Sequence, residues 1–129
     1  MALTEASKKV CVTAIDDLMA RCDDVTAAML ALRDGRPWIE RARVKHEPGK
    51  FAAMSSSLVA LGQSVLRELG AGALDHVLVE GIDGKLVVAN VPGSGGLMLI
   101  SVLAKREARL GLVLGHTKTC ALAVSSAIA

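Results

Sequence analysis

The residues whose types could do chemistry are three histidines, three cysteines, a run of serines and a glycine-rich segment. His46, His76 and His116 are scattered along the chain, no two at the spacing of a metal-binding pair. No cluster of Asp or Glu accompanies any of them, so no metal or cofactor is expected. Ser55-Ser56-Ser57 offers hydroxyl nucleophiles, but it lies in a helical stretch without a G-x-S-x-G elbow; small residues that let a helix approach its neighbour are the better account. His116 and Cys120 stand one helical turn apart, a spacing that can pair an imidazole with a thiolate. Cys120 falls on an apolar stripe, however, which favours a buried and inert thiol. Pro92-Gly93-Ser94-Gly95-Gly96 has no G-K-[ST] after it and opens no helix, so it reads as a loop between strands and not a phosphate cradle. No catalytic residue is nominated, and the chain reads as a non-enzyme.

Composition narrows the classes further. The 129 residues are 52% hydrophobic and 22% charged, with one Trp, one Phe and no Tyr. That is one domain, spanning residues 1–129, and disorder is excluded by high apolar content with a net charge of only +2. Its core must be aliphatic, and few ring faces are left for stacking single-stranded bases. A net charge this small also argues against nucleic acid as a partner. Cys11, Cys22 and Cys120 are odd in number and lack C-x-x-C spacing, which fits neither a disulfide framework nor a zinc site and suits a reducing, cytoplasmic compartment. No secretory leader is expected, because Asp16 and Asp17 precede any apolar run of useful length. Residues 86–104 are uncharged, but Asn90 and the Pro92–Gly96 segment interrupt them. Two strands around a turn explain that better than a membrane span.

The elements follow from periodicity. Residues 4–22 read as a helix with Thr4 as N-cap and Cys11, Ile15, Leu18, Met19 and Cys22 on one face. Val25 to Arg33 and Arg36 to Val44 are extended runs around Asp34-Gly35, a pair that tolerates positive φ at both residues and marks a hairpin. The second run carries Pro37, Arg41 and Arg43, as edge strands do to discourage further pairing. Pro48-Gly49 opens a helix of about twenty residues that ends near Gly70, with proline in the first turn and glycine past the last. Phe51, Met54, Leu58, Leu61, Val65 and Leu69 form one stripe on it. Ser55, Val59, Gly62 and Leu66 widen that stripe to roughly 160°, more than one buried face needs, so a second partner is implied. Leu74 to Gly81 and Lys85 to Val91 make a second hairpin around Asp83-Gly84. Leu97 to Ala104 is apolar except at Ser101, which places it centrally with cover on both faces. Residues 110–128 close the chain as a helix. The order α-β-β-α-β-β-β-α with a doubly covered central strand gives an α/β fold, a three-layer α/β/α sandwich.

This order resembles the Roadblock/LC7 domain family, in its stand-alone bacterial, MglB-like form. The residues that carry the resemblance are the Asp34-Gly35 hairpin after a first helix and His76-Val77-Leu78-Val79-Glu80-Gly81 followed by Asp83-Gly84-Lys85-Leu86-Val87-Val88. The apolar run 97–104 and the Leu110-Gly111-Leu112-Val113 entry to the last helix complete it. The resemblance covers nearly the whole chain, and its specificity comes from the ordered set. It implies a five-stranded antiparallel sheet in the order 2-1-5-4-3, and a homodimer formed through the third strand and the long helix. Met54, Leu58, Leu61, Val65, Val77 and Val79 are the candidate interface residues. It further implies a scaffold or regulator that binds a Ras-like small GTPase. The alternatives are an assembly module for a partner that is not a GTPase and, more remotely, a small-molecule sensor. Arg41, Arg43 and Lys45 alternate onto one side of the basic edge run, and Trp38 is the lone ring beside them. These four are the candidate partner-binding residues, with edge protection as the plainer role for the charges.

Overall fold

The computed structural model describes residues 1–129. Helix α1 (Glu5–Arg21) is followed by strands β1 (Val25–Leu32) and β2 (Pro37–Ala42) and by helix α2 (Pro48–Glu68). Strands β3 (Val77–Glu80), β4 (Gly84–Asn90) and β5 (Met98–Lys105) and helix α3 (Leu110–Ile128) complete the chain. All five strands pair antiparallel in the order β2-β1-β5-β4-β3, as expected. Alternation on each strand separates two cores. One face carries Ala28, Leu30, Val87, Ile100 and Val102 under Ile15, Leu18, Val113 and Val124 of α1 and α3. The other carries Met29, Val88 and Leu99 under Ala52, with Phe51, Leu58 and Val59 alongside. α1 and α3 therefore cover one face together while α2 alone covers the other, and that asymmetry decides where apolar surface is left over. The sheet centre is closed on the α2 side by a polar pair: Ser55 and Ser101, both buried, share a 2.8 Å hydrogen bond between their Oγ atoms.

Local details differ from the sequence reading in instructive ways. The N-terminus of α1 is a complete capping box, with the Ser7 hydroxyl in the place usually taken by Glu or Gln: Thr4 N–H donates to Ser7 Oγ and Ser7 N–H to Thr4 Oγ1. Both hairpins form, but neither Asp-Gly pair adopts positive φ at both residues, since no residue other than glycine has a positive φ. At the first turn only Gly35 does (φ 90°), in a three-residue connection closed by Gly35 N–H to Leu32 C=O and Leu32 N–H to Arg36 C=O. Asp34 keeps a negative φ and accepts the Arg36 N–H on its carboxylate. The second hairpin turns through Ile82 and Asp83, closed by Gly81 N–H to Gly84 C=O. Gly84 is already the first residue of β4, where a Cβ would come within 3.2 Å of the Ala104 carbonyl oxygen. β3 begins at Val77 and not at Leu74, because Gln63 Oε1 of α2 takes the Leu74 N–H. The C-terminal stretch is helical to Ile128, whose buried side chain docks in the core and whose carbonyl accepts the Ala2 N–H at 2.7 Å.

Candidate interaction surfaces

Met54, Leu58, Leu61 and Val65 recur at intervals of four, three and four along α2, the spacing of a helix-pairing seam. The seam lies on a flank of α2 that the sheet leaves uncovered. Leu61 is 64% exposed, Met54 56% and Val65 47%, while Leu58 is half-buried. Beside this flank the sheet itself is incompletely covered. Leu86 and Leu103 sit on its α2-facing side yet remain half-exposed, and Val77 and Val79 continue the same side along β3. Gly62 lets α2 lie close to β3, since a Cβ there would meet Val77 Cγ2 at 3.1 Å.

The surface ends at an open strand edge. β3 pairs only with β4, and Gly81–Gly84 sets the hydrogen-bonding parity, so the N–H groups of Leu78 and Glu80 point outward. β3 carries no proline, Glu80 is its one charge, and Leu78, Val79 and Ile82 are all exposed there. An apolar helix flank, an uncovered strip of sheet and an unpaired strand thus adjoin. All six candidate interface residues fall on this one continuous surface.

A family model of the Roadblock/LC7 domain matches residues 12–101, well over half of the chain. The chain belongs to the Roadblock/LC7 domain family. A Roadblock/LC7 domain from Streptomyces avermitilis is 27% identical and superposes with a TM-score of 0.80 over 89% of this chain and 94% of that one. The gliding protein MglB of Thermus thermophilus is 18% identical and covers 99% of this chain and 95% of its own, with a TM-score of 0.86. MglB of Myxococcus xanthus is 16% identical, covering 98% and 92%, with a TM-score of 0.84. At these identities the two MglB structures show a shared fold. No curated protein matches the sequence significantly.

The basic edge of this Roadblock/LC7 domain is organised differently from the hairpin's outward appearance in sequence. Arg41 and Arg43 do share the α1 side of β2, but both are engaged by their own chain. Arg41 Nε lies 3.0 Å from Asp16 Oδ1 of α1. The Arg43 guanidinium donates to the carbonyl of Met19 in the last turn of α1, where a helix presents unsatisfied acceptors and negative potential, and to that of Val25, the first residue of β1. Lys45, past the end of β2, has no ionic partner, and Trp38 is half-buried against the larger core. The four residues therefore do not converge on one projecting patch.

The histidines are similarly local. His46 Nε2 is 3.2 Å from Glu40 Oε1 and its ring meets Phe51 edge-on at 5.3 Å between centroids. His76 and Lys118 both hold Asp75 Oδ2 at 2.9 Å, and the hydrogen bonds from Lys118 and His76 keep the Asp75 carboxyl below its ordinary pKa. Burial pushes the Cys120 thiol up to about 12, with Cys11 and Asp17 adding to it, so no thiolate forms beside His116. No three His, Cys, Asp or Glu side chains come together as a metal site would require, and no helix is long and apolar enough to cross a membrane.

Proposed function

We propose that this chain works as a homodimer that binds a Ras-like small GTPase and modulates its activity, with the chemistry residing in the partner. The observation that carries the first half is the adjoining surface of Leu61, Val65, Leu103 and the β3 edge, which one protomer leaves wet. A two-fold axis beside β3 would pair the two β3 edges into one ten-stranded sheet and lay the two α2 helices side by side across it. Family membership supports the second half, because a small-GTPase partner is what the Roadblock/LC7 resemblance implies. Arg41 and Arg43 both contact α1 within their own chain, and no arginine is nominated for delivery into a partner's nucleotide site. In this reading, any stimulation of hydrolysis acts by stabilising the partner's competent conformation. Binding assays against the small GTPases of the same genome, loaded with GTP or GDP, test the proposal. A nucleotide-dependent complex is expected. Binding to none of them in either state would favour the assembly-module reading instead.

A further inference from the structure

On the flank of α2 opposite the apolar seam lies a cleft of about 410 Å³, bounded by Arg33 at the β1–β2 turn, by Asn90 and Gly96 at the ends of β4 and the β4–β5 loop, and by one side of α2. The α2 side presents Ser56, Gln63, Ser64 and Arg67. No carboxylate lines it. Three other arginines, Arg36, Arg41 and Arg106, are matched with acids on this chain, whereas Arg33 and Arg67 have no ion pair. Ser56 spends its hydroxyl proton on the Arg33 carbonyl, but further groups offer donors to the cleft. Gln63 commits its carbonyl oxygen to the Leu74 N–H, which leaves its NH₂ to the cleft. Ser64 adds a hydroxyl, and the Gly96 N–H takes no backbone acceptor, held in a loop where Gly93, Gly95 and Gly96 all have positive φ.

Arg33 and Arg67 both line this cleft without an acid to meet them, and an oxyanion there would accept charge-assisted hydrogen bonds from both. Only Val59 and Ala60 are apolar in the lining and there is no ring, so nothing here would stack a nucleobase. We propose that this cleft binds a compact phosphorylated small molecule through its phosphoryl oxygens, with Arg33 and Arg67 as the two clamps. The site is separate from the proposed dimer seam, because it opens on the other flank of α2.

Calorimetric titration of the full chain with inorganic pyrophosphate at low salt, with acetate as the carboxylate comparator, tests this. Saturable binding of one pyrophosphate per chain at sub-millimolar affinity is expected, weakening as salt is raised. Arg33→Gln and Arg67→Gln should each weaken it by at least about tenfold, the ordinary worth of a charged hydrogen bond. Arg21→Gln, on α1 and outside the cleft, should leave it unchanged. All three substituted side chains are exposed, and unchanged melting temperatures would confirm that the variants fold. The proposal is overturned by the absence of saturable binding, by acetate competing as well as pyrophosphate, or by Arg21→Gln weakening binding as much as the cleft variants do.

Discussion

Truncating Leu61 to alanine should weaken the proposed dimer without harming the protomer. Full burial of a leucine side chain is worth about 1.5–3 kcal/mol, and Leu61 holds 64% of its surface in reserve on α2. Alanine keeps the first methyl, so about 1 kcal/mol is lost per protomer. A two-fold interface counts every residue twice, giving ~2 kcal/mol and a dissociation constant raised about 30-fold. Leu61→Glu goes further, because it would leave a carboxylate in a seam lined by Met54 and Val65 with no cation to meet it. Sedimentation equilibrium over a range of loading concentrations reads both. The wild type should be dimeric at tens of micromolar, Leu61→Ala should show a monomer–dimer equilibrium displaced to higher concentration, and Leu61→Glu should stay monomeric. Because Leu61 is mostly exposed and belongs to neither core, both variants should keep the wild-type circular dichroism. A wild type that is monomeric at tens of micromolar would refute the reasoning, as would a Leu61→Ala dissociation constant within threefold of the wild type.

Three further predictions concern the protomer. Ser55→Ala should cost about 1–3 kcal/mol in urea unfolding, since it strands the buried Ser101 hydroxyl; Ser55→Ala with Ser101→Ala should cost less than the two single changes added. Arg43→Gln should lower stability by about 1 kcal/mol by releasing the Met19 carbonyl at the end of α1 and the Val25 carbonyl at the start of β1, with little change in Arg41→Gln, whose exposed ion pair contributes little. Cys120 is held neutral in the fold to about pH 12 but ionises near 9.0 once unfolded. Its contribution is therefore intact below pH 9.0 and erodes by at most about 1.4 kcal/mol per unit above it, so Cys120→Ala should flatten the alkaline fall in unfolding free energy.

The central strand and the apolar excess on α2 are both legible in the residues themselves, for different reasons, whereas the full strand order follows from the Roadblock/LC7 resemblance. The run Leu97–Ala104 names the central strand because an antiparallel strand with one wet face cannot carry apolar residues on both sides. The excess arc on α2 names the seam because a helix lying on one sheet buries only one stripe, and Leu61 and Val65 lie beyond it. Arg41 and Arg43 are harder. Alternation places them on one side of β2, but that side is where the end of α1 arrives, and a basic pair meant for a partner has the same spacing as one that caps a helix. Trp38 suffers the same ambiguity, since composition marks it as a lone ring but only packing shows it half-buried. The Arg33–Arg67 cleft is illegible for a third reason: it is assembled from a turn, a loop, a strand end and a helix flank that no sequence window contains together.

In the proposed dimer, two protomers join at the open edge of β3. Amide hydrogen exchange, resolved by residue and followed against protein concentration, tests it most directly. The Leu78 and Glu80 N–H groups have no acceptor within one protomer and should exchange quickly in dilute protein and in Leu61→Glu. In concentrated wild type they should become protected together, in step with the mass measured by sedimentation. A dimer in which Leu78 and Glu80 still exchange at the monomer's rate would contradict the account, because the protomers would then meet somewhere other than the β3 edge.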